Sequence, residues 1–379
     1  LSAVIGNPPW GQMGFVHGKQ ARQALRKRFR TGDGPLDPYK LFIERAHELL
    51  AEGGRWGLVV PDILLLKSYE STRRLILEQS QLERFVHLGR EFEGANIDTL
   101  IVVGTRSRAP DDDGEVEIHE HLGGVAARRQ RQGVFAELPA AKFNLYLDDH
   151  SLRLYRRLRQ LPRLGQHFEI HEGVHSGNVR RKLFCDREPE GARARLVLGR
   201  GELEPFRLSW AGRWIDLAPD LVDRAAGEYA NLGRPHWHRD PKLVVRRTGD
   251  RVVAARDPDG YYVSNNMFVL LPRARQTSLL SYLGLLQSSL YTWYFRTEQP
   301  RVGRLFAELK IVHLRDFPVP KDGAWLAGHA HLAELTRALE TQPGDHQLLE
   351  ELDQWVYRLF ELDDAERQLV GSIAAHRPR

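Results

Sequence analysis

Cysteine is almost absent from this sequence: Cys185 is the only one among 379 residues. A lone thiol excludes a disulfide framework within the chain. It also excludes zinc ribbons and iron–sulfur clusters, which are held by several cysteines. A chain that needs no disulfides suits a reducing compartment, so we expect a cytoplasmic protein.

Long apolar runs are missing as well. None reaches the roughly 18 residues that a transmembrane helix requires, so the sequence predicts no membrane partner. Hydrophobic residues make up 42% and charged residues 28%, as in ordinary globular proteins. A chain of 379 residues is long enough for two or three domains, each with its own core.

Charge of one sign is only slightly in excess, with a net charge of +5. The basic residues nevertheless occur in clusters, and clustered arginines and lysines can neutralise phosphates or read guanine edges. The same clusters also occur as solvated faces, so charge alone leaves nucleic-acid binding undecided. The clusters lie at residues 22–30, 128–131, 153–159, 180–182 and 246–247.

Hydrophobic periodicity predicts an α/β arrangement for the first part of the chain. Ser2–Gly6 and Trp56–Pro61 read as buried strands, the second continuously apolar as in a parallel sheet covered on both faces. Tyr39–Leu50 has helical periodicity and stops at Gly53-Gly54. The alternation is typical of half of a doubly wound sheet. Further elements are predicted at residues 70–79 (helix), 82–88 (strand) and 99–104 (strand).

From about Gly165 the pattern changes to short strands and turns, which predicts an α+β unit. One long helix is expected at Leu279–Arg296, and amphipathic helices at Leu332–Leu339 and Leu348–Phe360. The predicted domains are residues 1–150, 151–320 and 321–379.

A motif that can carry chemistry, Asn7-Pro8-Pro9-Trp10, directly follows the first predicted strand. The Asn side-chain oxygen and the carbonyl of Pro8 could each accept one N–H of an exocyclic amine, favouring a nitrogen whose lone pair attacks a sulfonium methyl. The fixed φ of proline suits the Pro8-Pro9 pair because it holds the Pro8 carbonyl in a set direction, and Trp10 could stack on an extruded base. The alternative is a plain tight turn at a strand end. Gly11–Gly34 is polar, basic and glycine-punctuated, so we expect a mobile loop that closes over the site.

The blocks after this motif resemble the γ-type adenine-N6 DNA methyltransferases of the TaqI-like and Type IIG restriction–modification group. They are Asp37–Ala46 running into Gly53–Pro61, and Leu88–Ala95 followed by Thr99–Val103. The resemblance implies that Phe92 contacts the flipped adenine and that Phe42, with Tyr39 of the same block, lies near the cofactor, S-adenosylmethionine. The fold class is then the C-terminal half of a Rossmann-like methyltransferase sheet, an α+β target-recognition domain and a helical tail.

The β-rich unit resembles the TaqI-like C-terminal specificity domain, which implies double-stranded DNA as partner. The similar stretches are 173–177, 198–203, 242–249, 260–262 and 303–306. The candidate DNA contacts are Arg180, Arg181, Lys182, Arg200, Arg246 and Arg247.

The glycine-rich cofactor loop of that family should precede the catalytic motif, yet only Leu1–Gly6 precede Asn7. Neither Gly199-Arg200-Gly201 nor Gly323–Gly328 has the motif. We therefore expect either a piece lacking its N-terminal half, which the Leu start inside a strand favours, or one subunit of a split enzyme. Such a chain would bind S-adenosylmethionine weakly and methylate nothing alone.

Two histidine pairs, His119/His121 and His236/His238, lack further ligands at a telling spacing, so we expect surface histidines and no metal. The leading hypothesis is site-specific methylation of adenine N6 in DNA. A non-catalytic DNA-specificity subunit and a methylase of RNA or protein amides remain as alternatives.

Overall fold

The computed structural model describes residues 1–11, 18–65, 69–89, 98–199, 201–299 and 307–374. The chain divides into two compact units, Leu1–Asp148 and Asp149–Arg379. No helix in the described ranges is long and apolar enough to cross a membrane.

The first unit is a six-stranded sheet with helices. Its strands are β1 (Ala3–Gly6), β2 (Arg55–Pro61), β3 (Ser80–Gly89), β4 (Thr99–Arg106), β5 (Glu115–His119) and β6 (Arg128–Arg131). Its helices are α1 (Lys19–Arg28), α2 (Pro38–Leu49), α3 (Glu70–Gln79) and the short α4 (Gly133–Glu137), with 3-10 turns at Arg30–Gly32, Asp62–Leu64 and Pro139–Ala141.

The sheet is mixed, with the strand order β1-β2-β4-β3-β5-β6. β1 runs parallel to β2, and β4 is antiparallel to both of its neighbours, β2 and β3. The predicted strands are confirmed, but β2 does not lie in an all-parallel sheet, because its second partner is the reversed strand β4. An antiparallel neighbour needs only a short connection along the chain. The continuous apolar run of β2 gives no information on the direction of the strands beside it.

The first strand is less buried than predicted. Ile5 of β1 is 88% exposed, whereas the core under the sheet holds Trp56, Leu58 and Val60 of β2. β1 is the edge strand of the described sheet, so one of its sides has no strand beside it. An apolar pattern reports that a strand suits burial, not whether a neighbour is present to bury it.

The segment 11–34 was predicted as a mobile loop, and this is wrong for its described part. Residues Lys19–Arg28 form α1, and Arg30–Gly32 form a 3-10 turn. The helical stretch Lys-Gln-Ala-Arg-Gln-Ala-Leu-Arg-Lys-Arg consists entirely of good helix formers, a propensity that its polarity concealed. Helix α2, by contrast, was predicted nearly to the residue, because it buries one apolar face with Tyr39, Ile43 and Ala46.

The second unit combines small sheets with helices. Its strands are β7 (Phe168–Glu172), β8 (Phe184–Cys185), β9 (Arg193–Val197), β10 (Leu203–Glu204), β11 (Arg207–Leu208), β12 (Trp214–Asp216), β13 (Lys242–Arg246), β14 (Thr248–Gly249), β15 (Ala254–Asp257), β16 (Tyr262–Val263), β17 (Met267–Pro272) and β18 (Ala307–Glu308). Its helices are α5 (Asp149–Leu158), α6 (Leu164–His167), α7 (Arg180–Leu183), α8 (Pro235–Arg239), α9 (Leu279–Gln287), α10 (Ser289–Glu298), α11 (Ile311–Arg315), α12 (Asp322–Thr341), α13 (His346–Leu359) and α14 (Asp364–Ala374).

Two four-stranded sheets form the centre of this unit, in the orders β15-β13-β17-β7 and β16-β9-β12-β8. The first is antiparallel throughout. The predicted fold class, an α/β part followed by an α+β part and a helical tail, is confirmed. Two details differ: the helix expected at Leu279–Arg296 is broken at Ser288 into α9 and α10, and the tail contains the additional helix α14.

Candidate functional site

The Asn-Pro-Pro-Trp motif lies at the carboxyl edge of the first sheet. Asn7 follows β1 directly, and the parallel strand β2 ends at the same edge. The carboxyl ends of parallel strands are where α/β sheets place ligand chemistry. The position predicted for the motif from the sequence is therefore the one that the fold provides.

A hydrogen bond within the motif orients its side chains. The indole Nε1–H of Trp10 donates to Oδ1 of Asn7 across 3.2 Å. Asn7 is exposed, Pro8 is buried, and the half-buried ring of Trp10 packs against the core beneath the sheet. Because an amide oxygen can accept two hydrogen bonds, Asn7 keeps capacity for a donor from outside.

The carbonyl of Pro8 is the second acceptor that the motif provides. It accepts no hydrogen bond from the described part of the chain. Two acceptors on one short turn can therefore face the two N–H bonds of a single amine.

Asp37 fixes the chain directly after the motif. Its Oδ1 accepts a hydrogen bond from the backbone N–H of Gly11 at 3.2 Å, and only 2% of Asp37 is exposed. Asp37 precedes Pro38 at the start of α2 and does not cap that helix with its side chain. Nothing in the sequence indicated this contact, because a bond between residues 26 positions apart leaves no local pattern.

The residue predicted to contact the target base, Phe92, lies outside the described residues. The ends of its segment are described: Gly89 at the end of β3 and Asp98 before β4. Pro61 and Gly89 are both register partners of Thr99, so β3 ends at the same edge as β2. β1 and β3 are separated by β2 and β4, so they lie about 14 Å apart across the sheet at about 4.8 Å per strand spacing. Gly6 at the end of β1 is level with Leu58, so β1 stops three residues before the level of Pro61 and Gly89.

The two candidate cofactor residues, Phe42 and Tyr39, point in different directions on α2. Phe42 is 46% exposed and offers an open aromatic face. Tyr39 is fully buried with its ring edge on Tyr69, and burial raises the pKa of its phenol well above the usual range. Its position makes Tyr39 a core residue, so direct contact between its ring and a cofactor is not supported.

The described residues do not complete a site for S-adenosylmethionine. Gly199 opens a turn that closes on Glu202, whose Oε2 accepts from the N–H groups of Leu198 (2.7 Å) and Gly199 (3.3 Å). Gly323 and Gly328 lie inside α12. Neither stretch both follows a strand and opens a helix, as a glycine-rich cofactor loop does. Of the two candidate cofactor residues, Phe42 supplies the exposed face.

The predicted DNA contacts at residues 180–182 lie on the short helix α7, and all three are exposed. Lys182 pairs with Glu228 at 2.5 Å, and the Arg180 guanidinium covers the Phe184 ring at 4.9 Å. Arg181 makes no ion pair with any residue in the described ranges and is the cation of this helix most open to a ligand.

Arg246 and Arg247, which were also predicted to contact DNA, are less open to a ligand than Arg181. Arg246 is half-buried and donates to the carbonyl of Leu203. Arg247 pairs with Glu308 at 2.9 Å and with Glu172 at 3.3 Å, so its charge is already compensated. Both arginines have structural partners, and their sequence clustering did not distinguish pairing from exposure. Arg200 and residues 303–306 lie outside the described residues.

The prediction that the paired histidines lie at the surface is wrong for His238 and His119. His238 is fully buried and stacks on Tyr262, and burial lowers its pKa to about 4. His119 is 8% exposed, with its Nδ1 at 2.9 Å from the carbonyl of Gly124. In the described ranges, no three His, Cys, Asp or Glu side chains come together as a metal site.

Two family descriptions match the chain. Residues 2–93 match the Eco57I restriction-modification methylase, and residues 196–319 match the TaqI-like C-terminal specificity domain. The Type II methyltransferase M.TthHB8I of Thermus thermophilus is 26% identical over 297 residues, which cover 71% of this chain and 61% of that protein. This chain therefore spans about three fifths of the length of its curated relative.

Solved structures share the fold at low identity. The Type IIL restriction-modification enzyme MmeI, solved in complex with DNA, aligns with a TM-score of 0.61 and 13% identity over 98% of this chain and 57% of that one. The ATP-dependent Type ISP enzyme LlaBIII, bound to DNA, aligns with a TM-score of 0.51 and 9% identity over 90% of this chain and 30% of that one. The predicted resemblance to restriction–modification methyltransferases is confirmed at this coarser level: residues 2–93 are similar to an Eco57I restriction-modification methylase, and residues 196–319 to a TaqI-like specificity domain.

Proposed function

We propose that this chain is the catalytic and target-recognising part of a site-specific DNA methyltransferase that transfers a methyl group from S-adenosylmethionine to adenine N6. The proposal rests mainly on the pair of acceptors that Asn7 and Pro8 provide at the carboxyl edge of the sheet. The Asn7 side chain is exposed, and Trp10 Nε1 orients it through a hydrogen bond of 3.2 Å to Oδ1. The matches to a restriction-modification methylase and a specificity domain support a DNA substrate and a role in restriction–modification.

The chemical problem is the weak nucleophilicity of an exocyclic amine, whose lone pair is delocalised into the ring. Hydrogen bonds from its two N–H groups to Asn7 Oδ1 and to the carbonyl of Pro8 draw the nitrogen towards a tetrahedral geometry. The lone pair then localises and can attack a methyl group. The adjacent Pro9 stiffens the turn that holds both acceptors in place.

Aromatic stacking holds the base at that position. A base inside a duplex cannot reach the motif, so it must be extruded, and stacking contributes about 1–3 kcal/mol per base. Trp10 is suited to this because the core supports part of its ring while the remainder is open. We assign the opposite contact to Phe92, whose segment begins and ends at the same sheet edge.

The methyl donor needs residues that this chain does not supply in the described ranges. We propose that Phe42 contributes one contact and that the main binding loop belongs to a longer polypeptide or to a partner subunit. The exposed side chain of Ile5 (88%) on edge strand β1 is compatible with such a neighbour.

The second unit is proposed to read the DNA sequence. Arg181, which is exposed and makes no ion pair in the described ranges, is the best-placed candidate of the predicted set, followed by Arg180. Arg200 remains a candidate from the sequence.

The variant Asn7→Ala tests the catalytic assignment in the protein completed by its cofactor-binding part. We expect methyl transfer to fall at least 100-fold, in line with the loss of a positioned transition-state acceptor, while specific DNA binding persists. Gln342→Ala, which removes an exposed amide far outside the motif, is the matched control and should retain full activity. Methylation that survives Asn7→Ala would instead identify a non-catalytic specificity subunit.

A further inference from the structure

Helix α1 is a basic helix that buries none of its side chains. Its ten residues include five cations and no acid, and its residues are exposed except for the half-buried Leu25. A helix of ten residues without an apolar face is marginal in water. The helix therefore contributes exposed surface to the protein and no side chain to its core.

Three of the five cations, Lys19, Arg26 and Lys27, have no acidic partner among the described residues. Arg28 pairs with Glu48 of α2 at 2.9 Å, whereas Arg26 donates to the uncharged carbonyl of Gly34 at 2.9 Å. Lys19 and Lys27 make no ion pair with any residue in the described ranges. At about 100° per residue, Lys19, Arg26 and Lys27 lie within one sector of about 100°.

The chain directly after α1 is nevertheless held firmly. Glu44 of α2, 8% exposed, accepts the backbone N–H groups of Arg30 at 3.0 Å and Thr31 at 2.8 Å. Lys40, fully buried, donates to the carbonyls of Asp33 at 2.7 Å and Pro35 at 3.1 Å. Two buried charged side chains of α2 thus fix a segment that contributes little to the core.

The anchors tie the segment after α1 to the same helix that holds the chain after the proposed catalytic motif. The same helix α2 that holds residues 30–35 begins at Asp37, which binds the N–H of Gly11 directly after Trp10. The basic helix and Asn7-Pro8-Pro9-Trp10 therefore share one support.

We propose that α1 binds the phosphate backbone of duplex DNA, with phosphates along Lys19, Arg26 and Lys27, and sets the position of the duplex relative to Asn7. This inference rests on the proposed function and adds a contact surface to it. A polyanion is the partner that a row of uncompensated cations fits, and phosphate contacts fix register without reading sequence.

The test is the salt dependence of DNA binding by the full chain, measured by fluorescence anisotropy on two duplexes of unrelated sequence. For the variant Lys19→Gln/Arg26→Gln/Lys27→Gln we expect the slope of log K against log salt to become shallower by about 2–3, since each phosphate contact contributes about 0.9. The loss should be equal on both duplexes. Lys19→Arg/Lys27→Arg, which keeps the charge, should bind like the original chain.

A control of equal charge change is Arg275→Gln/Lys321→Gln/Arg337→Gln, since none of these cations has an ion-pair partner in the described ranges. An α1 variant with an unchanged slope, or a control that loses as much, would overturn the inference while leaving the proposed function standing. Preference of α1 for single-stranded RNA over the duplex would overturn it as well. If the original chain binds no duplex at all, the proposed function itself fails.

Discussion

The ion pair between Lys242 and Asp257 lies fully buried in the second unit, with both side chains at 0% exposure and 2.5 Å between Nζ and Oδ2. The carboxylate also accepts the backbone N–H groups of Asp259, Gly260 and Tyr261, at 2.9–3.0 Å. Burial lowers the pKa of the Lys242 ammonium, and the charge of Asp257 opposes that shift. The pair thereby fixes the turn between β15 and β16.

Lys242→Met should destabilise the protein strongly, because it leaves Asp257 as an uncompensated buried charge. Loss of one partner of such a pair costs about 3–5 kcal/mol. Urea denaturation measures the loss, and Arg74→Ala, which breaks the exposed pair with Glu70, should cost less than about 1 kcal/mol. Equal effects of the two variants would contradict a structural role for the buried pair.

Residues of the candidate site were predictable where a local pattern carries the chemistry. Asn7 and Trp10 stand out because the motif is contiguous and follows a strand. Asp37 and Glu44 were missed, because each acts on a backbone N–H far away in sequence, 26 and 13–14 residues respectively. Periodicity reports which side chains are apolar; it gives no pairing of buried polar groups.

At the scale of elements, the junction of α9 and α10 shows how a tertiary contact divides a helix. Ser288 is extended and caps α10 by accepting the N–H of Tyr291. Asp353 of α13 accepts from the N–H of Ser289 at 2.7 Å and from its hydroxyl at 2.5 Å. The apolar pattern of Leu279–Arg296 is continuous, so the break could not be predicted: its stabilising carboxylate lies 64 residues away.

Asp353→Ala should therefore destabilise more than the loss of an ordinary helix cap. It leaves the first N–H of α10 and a buried hydroxyl without their acceptor, at about 1–3 kcal/mol for each buried group. Asp345→Ala, which removes the half-buried cap of α13, provides the comparison at about 1 kcal/mol. Thermal unfolding ranks the two variants, and a smaller shift for Asp353→Ala would show that the junction does not depend on this carboxylate.

At the scale of the whole molecule, stability should depend on pH through two buried histidines, one in each unit. Burial lowers the pKa of both His47 and His238 to about 4, from about 6.5 in the unfolded chain. Between these values the unfolded state binds more protons, so stability is complete above pH 6.5 and falls as the pH drops towards 4.

We expect a loss of about 2 kcal/mol per histidine between pH 7 and pH 5. His238→Phe keeps a ring against Tyr262 and cannot take up a proton, so it should remove its share of this loss. Urea denaturation at several pH values measures the effect. An undiminished pH dependence in His238→Phe would show that this histidine is already solvated in the folded chain.

The architecture was predictable to a large extent because its signals are local: apolar strands, an amphipathic α2 and the motif at a strand end. What the sequence could not supply is pairing. The reversed strand β4 beside β2 and the exposed edge at Ile5 each depend on a neighbour or on its absence.

The central claim is that Asn7-Pro8-Pro9-Trp10 methylates adenine N6 in DNA. The most direct measurement supplies the cofactor-binding part and labelled S-adenosylmethionine, and identifies the methylated nucleoside in digested duplex DNA by mass spectrometry. We predict N6-methyladenine from the unaltered chain and none from Asn7→Ala. Label in another nucleoside, or N6-methyladenine formed by Asn7→Ala at the original rate, would contradict it.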